Sequence, residues 1–371
     1  MSSATDVTTL RPEELLRRDE SPLVLTATFE PVGGIDRFQP AGFPEIGHVI
    51  YKAPRNGGHE ENICIVDSPA SMANHLEAVC MRGPHDYELV EQLEGMPYVR
   101  CVTGEIEDGK LKSRDLVVTS LTEGHRIAST YFLDGKVLNG DGGSGRKLQD
   151  ELLEKFGIVL PGSGKAHPPA ARWWNVFETI FQYDPNSLVH GVLFPQWQIK
   201  ISRALTAHLE AIGAGRVDRS GVKFDRLGKT TSGQPIFAVD DATAREIRAT
   251  LILDLSLIRS FGRKNGDQTL GLKENQKEFV VALALWKIQR LLASPFRFRS
   301  GCHLKRTSLR EGERQVEVAV DIKQAICHAG FCTDPRVTDV AWLREELYRE
   351  GQDSDSNSRD DAGDDEPEPE E

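Results

Sequence analysis

Three glycines in NGDGGSGRK (139–147), Gly140, Gly142 and Gly145, stand at the G-x-G-x-x-G spacing that brings a pyrophosphate against bare backbone in a dinucleotide-binding loop. The flanks support that reading, since RIASTYFL (126–133), KLQDELLEKF (147–156) and GIVL (157–160) have strand, helix and strand character. The carboxylate that should hold the ribose hydroxyls about twenty residues further on is missing, because Gly164, Lys165 and Ala166 stand there. A flexible hairpin tip is the better account of the glycines. PGSGKAHPP (161–169) fails as a phosphate loop, with Val159 where a glycine is needed and Ala166 where a magnesium-binding hydroxyl is needed. Its two prolines also forbid the helix that should follow.

A second chemistry is more extensive. In SPFRFRSGCHLK (294–305), read as one strand, Phe296, Phe298, Ser300, Cys302 and Leu304 share one face and Arg297, Arg299, Gly301, His303 and Lys305 the other. From Arg290 to Arg310 there are six Lys or Arg and no acid. Guanidinium groups grip phosphate in a bidentate fork and stay charged, so Arg297, Arg299 and Lys305 are candidate polyanion contacts, against the alternative of a solvated face paired with acids elsewhere. Ser68 and Pro69 open DSPASMANHLEAVC (67–80) as an N-cap and first helical residue, with Met72, Leu76 and Val79 as an inward stripe. The start of that helix, with Ser71 and Asn74 in the next turn, is a second anion candidate.

Catalytic patterns are scarce. His48, His59, His125 and His190 lie in no nucleophile motif, and no G-x-S-x-G or H-E-x-x-H sequence occurs. Asp36 in GGIDRFQP is the one carboxylate placed, in the loop after the first strand, to position a metal or a scissile phosphate. Cys327-His328 with Cys332 is at most half a zinc site. No catalytic residue, cofactor or metal is assigned.

The elements that must position these groups follow from pattern. The chain has 371 residues, 39% of them apolar, enough for a proper core in one large or two ordinary domains. Its longest apolar stretches, such as FVVALALW (279–286), are too short to span a bilayer, the amino terminus has no signal core, and the six cysteines form no C-x-x-C pair, so a cytoplasmic protein is expected. The net charge of −12 is uneven: residues 351–371 carry −9 and the other 350 only −3. That tail lacks the apolar residues to repay ordering, and is expected to be disordered, serving as a solubilising appendage or as a competitor for a basic face. SPLVLTATF (21–29) alternates as a strand and runs into a long glycine- and proline-rich loop (30–61), followed by strand NICIV (62–66) and the Ser68 helix. DLVVTSL (115–121) and SLVHGVLF (187–194) read as strands, the second led into by WWNVFETIFQYD (173–184), ENQKEFVVALALWKIQRLLA (274–293) reads as a helix, and 213–237 as an exposed hairpin. This is an α+β pattern.

Five segments in order, IDRFQPAGFPEIGHVIY (35–51), DSPASMANHLEA (67–78), SLVHGVLF (187–194), SGVKFDRL (220–227) and LALWKIQRLLASPFRFRSGCHL (283–304), resemble the CRISPR-associated RAMP proteins that form the backbone of type I-G (formerly I-U) effector complexes, the Csb-one group within the Cas-seven family. The resemblance spans roughly residues 20 to 330. It implies an N-terminal extension (1–20), an RNA-recognition-motif-like (ferredoxin-like) RAMP core with palm and thumb-like insertions (21–350, thumb at 213–237), and the acidic tail outside it. It further implies a non-catalytic subunit that polymerises along a guide RNA, with copies of itself, other effector subunits and the target DNA strand paired to the guide as partners. Arg37, Gln39, Phe43, Ser68, Ser71, Asn74, Lys223, Arg226, Arg297, Arg299 and Lys305 are then the expected RNA-binding or subunit-contact residues. No aromatic RNP-type motif is present, so base stacking on the sheet is not expected. Two alternatives stay open: an RNA-cleaving subunit of type III kind using Asp36, and a dinucleotide enzyme using Gly140 to Gly145.

Overall fold

Residues 7–43, 47–55, 57–104, 106–107, 110–111, 114–139, 143–158, 172–217, 240–332 and 337–343 are described by the computed structural model. The principal sheet of these residues has nine strands: β1 (Thr8–Leu10), β2 (Leu23–Pro31), β3 (Ile50–Pro54), β4 (Glu60–Asp67), β5 (Leu205–Ile212), β6 (Glu246–Leu253), β7 (Phe296–Arg299), β8 (Cys302–Glu311) and β9 (Arg314–Val318). They lie in the order β1-β9-β8-β2-β6-β5-β4-β3, with β7 folded back on β8. Within it β8, β2, β6 and β5 are antiparallel neighbours. Helix α1 (Pro69–Ala78) intervenes in the chain between β2 and β5, and α2 (Glu274–Leu292) between β6 and β8. Counted in chain order, these four strands stand fourth, first, third, second.

The alternation read in β2 explains its place. Leu23, Leu25, Ala27 and Phe29 are buried together with Leu205, Ala207 and Leu209 of β5 and Ile247, Ala249 and Leu251 of β6. Thr26 stands opposite Thr250 and Arg310, and Thr28 opposite Arg248 and Ser308, so the other face of the sheet is polar. Ser68 caps α1 by accepting from the Ser71 amide at 3.2 Å, and Met72 and Leu76 are buried as the stripe requires. Helix α2 is buried on nearly all sides, Lys277 and Lys287 included.

Several local expectations are corrected. RIASTYFL is a 3-10 turn (Arg126–Ala128) and a short helix (Thr130–Leu133), because Ser129 caps the second by accepting from the Tyr131 amide. SLVHGVLF begins within a helix (Asn186–His190), breaks at Gly191 with φ 81°, and only then becomes the strand Val192–Phe194. An apolar run buried on every side has no period with which to tell helix from strand. SPFRFRSGCHLK is a hairpin and not one strand: β7 pairs with β8 around Ser300 and Gly301, the latter at φ 77°. Lys136–Asn139 and Gly143–Lys147 pair antiparallel, while Gly140 and Gly142 lie outside the described residues. Gly145 lies inside a strand and not in the strand-to-helix turn that a dinucleotide site requires of it. Cys327 and Cys332, weighed as half a zinc site, are joined to each other in a disulfide.

A second, five-stranded sheet takes the order Asp115–Thr119, Tyr98–Gly104, Val337–Leu343, Lys136–Asn139, Gly143–Lys147, with Val337–Leu343 parallel to Tyr98–Gly104. Near α1 and α2 lies a buried polar network. Arg126 forms a fork with Glu77 of α1 (2.7 and 2.8 Å), Asn186 donates to Glu77 at 2.6 Å, and Lys287 of α2 donates to Asn186. Asp184 accepts from Ser187 at 2.6 Å through one oxygen, while its other oxygen and both nitrogens of His190 have no hydrogen-bond partner among the described residues. Burial pushes the Asp184 carboxyl up to about 7, and Glu77 adds to that, while it drives His190 well below the usual imidazole value.

Candidate nucleic-acid interface

Loop 36–41, after β2, is held by backbone bonds on three sides. Phe38 and Ala242 exchange hydrogen bonds at 2.9 and 2.8 Å, the Gln39 amide donates to Gly301 O at 2.9 Å, and the Ala41 amide donates to Val66 O at 2.9 Å. Thr243 donates its hydroxyl to Asp36 O at 2.8 Å. Ala242 belongs to a paired stem, Gly215–Val217 against Asp241–Thr243, which continues β5 and β6 outward. Lys223 and Arg226, the stretch 218–239 that contains them and the acidic tail lie outside the described residues.

Behind the loop stands an ion-paired pillar. The Asp67 carboxylate, buried at the end of β4, accepts from the Ser68 amide at 2.9 Å, from His75 Nε2 at 2.9 Å and from Arg299 at 3.0 Å. Arg299 also donates to Val66 O at 2.6 Å and reaches Gln39 O at 3.5 Å. Burial alone would raise the Asp67 carboxyl, but the His75 hydrogen bond and the Arg299 charge outweigh it and hold it below the ordinary carboxylate value. Phe296 and Phe298 of β7 meet the His75 ring edge-on at 5.4 and 5.3 Å. At the start of α1, read as an anion site, the Ser71 amide is taken by the Ser68 hydroxyl and the protein's own Asp67 carboxylate stands beside the cap, with Ser71 Oγ 3.4 Å from His75 Nε2.

The remaining cations face solvent. Arg37 pairs with Asp241 at 3.2 Å and keeps 62% of its side chain exposed. Arg297 donates to Ser300 at 2.8 Å, Lys305 lies 3.6 Å from Glu30 with 60% exposure, and Asn74 is exposed on α1. The irregularity in register between Arg297 and Arg299 sets Arg299 opposite buried Cys302, whereas Arg297 pairs with exposed His303. That shift separates two arginines that strict alternation puts on one face. The backbone of Phe43 pairs with Gly47. Asp36 is exposed, and no cluster of three His, Cys, Asp or Glu able to hold a metal occurs among the described residues. Sequence reasoning missed Asp67 and His75; the DSPASMANH spacing, which sets a carboxylate before the cap and a histidine two turns into the helix, was the signal available.

The sequence profile of the family described as CRISPR-associated protein GSU0053 matches residues 23–216, more than half of the chain. The chain belongs to this CRISPR-associated family. The matched span takes in β2 to β5 and α1 and ends within the paired stem, so it contains loop 36–41 and Asp67, while the β7–β8 hairpin lies beyond it. No curated protein matches the chain. Among solved structures, the crystal structure of Thermofilum pendens Csc2 is similar over 90% of this chain and 73% of that one, at 12% identity and a TM-score of 0.24, too loose a superposition to carry an argument. No described helix is long and apolar enough to cross a membrane.

Proposed function

We propose that this member of the GSU0053 family is a guide-RNA-binding backbone subunit of a type I-G CRISPR effector complex, that it assembles in several copies along the guide without catalysis of its own, and that its core is ferredoxin-like. The observation that carries the reading is convergence. Segments 35–51 and 67–78 and the hairpin end of 283–304 meet at one junction, to which the pair Gly215–Val217 and Asp241–Thr243 is joined through Ala242 and Phe38. The family assignment rests on the first half of the chain, and the strand order fourth, first, third, second with two crossover helices supports the ferredoxin-like core. The exposed Arg37, Arg297 and Lys305 supply backbone contacts, while sequence is left to pairing between guide and target strand.

The protein co-expressed with a CRISPR array should purify with bound RNA of guide length. Replacing Arg37, Arg297 and Lys305 together by alanine should lower the slope of log affinity against log salt by about 0.7 for each phosphate that the variant no longer neutralises on single-stranded RNA. An unchanged slope in a folded triple variant, or purification free of RNA, refutes the reading.

A further inference from the structure

Arg299 is the most constrained cation of the junction. One of its terminal nitrogens is engaged by Val66 O at 2.6 Å and Gln39 O at 3.5 Å, and the other by the Asp67 carboxylate at 3.0 Å. Its side chain is 23% exposed and that of Asp67 only 1%. Releasing the guanidinium toward a phosphate would leave a buried carboxylate with only the neutral Ser71 and the His75 ring as side-chain partners and two backbone carbonyls without this donor, an exchange that one solvent-facing phosphate contact does not offset. The elements it bridges are those that shape the junction: loop 36–41 through Gln39, the end of β4 through Val66 and Asp67, the N-cap of α1 through the Asp67–Ser68 bond, and the β7–β8 turn on which it sits. Gly301 in that turn accepts from Gln39 through the adjacent backbone, so side chain and turn hold the same loop from two points.

We infer that Arg299 is a positioning residue: with Asp67 and His75 it locks loop 36–41 to the start of α1 and to the β7–β8 turn, and phosphate contact belongs to Arg37, Arg297 and Lys305. The inference deepens the RNA-binding reading and rests on it for the division of labour, but the lock itself is independent of RNA.

A double-mutant cycle on the full chain separates the roles. Arg299→Gln should lower the melting midpoint by about 4 °C, as expected for an uncompensated buried carboxylate. Adding Asp67→Asn should restore most of that loss, because no buried charge is then left unpaired. On a single-stranded RNA of guide length, the double variant should keep the wild-type salt slope while that of Arg297→Ala falls by about 0.7. Failure of the double variant to recover stability overturns the lock. A recovered double variant whose salt slope falls by about 0.7 makes Arg299 a phosphate contact and overturns the division of roles. Should the wild type bind no RNA, the melting cycle still decides the lock, and the failure falls on the functional reading instead.

Discussion

Replacement of Asp184 by asparagine should remove a pH dependence built into the core. The carboxyl, 3.8 in water, is pushed up to about 7 in the fold, mainly by burial and further by Glu77, against the opposing bond from Ser187. Between those two values the folded chain holds a proton that the unfolded chain has released. The contribution of this carboxyl to stability is therefore greatest below about pH 4, falls by about 1.4 kcal/mol for each pH unit, and levels off above about pH 7, a total near 4 kcal/mol; His190, held well below the usual imidazole value, acts in the opposite sense below about pH 6.5 but equally in both proteins, so it drops out of the comparison. With an unfolding entropy of about 0.8 kcal/mol/K for a chain of this size, that is a midpoint shift of about 5 °C. Asparagine carries no proton to release, so the melting curves of Asp184→Asn and wild type should nearly coincide at pH 4, differ by about 2 °C at pH 5 and by about 5 °C at pH 8, the variant melting higher. Asp67 and Asp254, whose folded values are lowered, act in the opposite sense and at lower pH, outside this window. Scanning fluorimetry from pH 5 to 8 reads the difference. Parallel curves, or a variant that melts lower at pH 8, would refute the account of the buried network.

Gly301→Ala places a Cβ 3.0 Å from Gln39 at φ 77°, so the midpoint should fall by about 2 °C and single-stranded RNA binding should weaken as loop 36–41 shifts; an unaffected protein would show that the turn does not hold the loop. Asp36→Ala should leave guide and target binding intact, because the backbone carbonyl and not the carboxylate holds Thr243; metal-dependent cutting of target RNA by the wild type, abolished in this variant, would establish the cleaving alternative. Truncation after Tyr348 removes the segment that carries −9, so non-specific nucleic acid should bind more tightly at low salt and equally at high salt, whereas equal affinities throughout would leave the tail a solubilising role.

What the sequence disclosed follows from where a single period operates. β2 alternates because one of its faces is buried and the other is polar, and the Ser68–Pro69 start of α1 is a local signal that needs no tertiary context. The helix Asn186–His190 was hidden because every residue in it is buried, which erases periodicity. Strict alternation puts Arg299 beside Arg297, because an irregularity of one residue in register leaves no mark in composition, yet it turns a guanidinium from solvent toward Asp67. Lys287 looks like an interruption of an apolar helix; its partner Asn186 lies 101 residues away, beyond the reach of local pattern.

The strand Val337–Leu343 lies between Tyr98–Gly104 and Lys136–Asn139 and not at the edge of its sheet. During synthesis at about 5–20 residues per second, the two neighbours leave the ribosome tens of seconds before the strand that joins them. Until then each carries an unpaired edge, open to its counterpart on a nascent neighbour as readily as to the missing strand. Assembly of this sheet is therefore a late, long-range event, slow by its sequence separation and dependent on the chain having been made through Leu343. Yield of folded protein should respond to expression temperature and to chaperone supply, through the time those two edges stay unpaired.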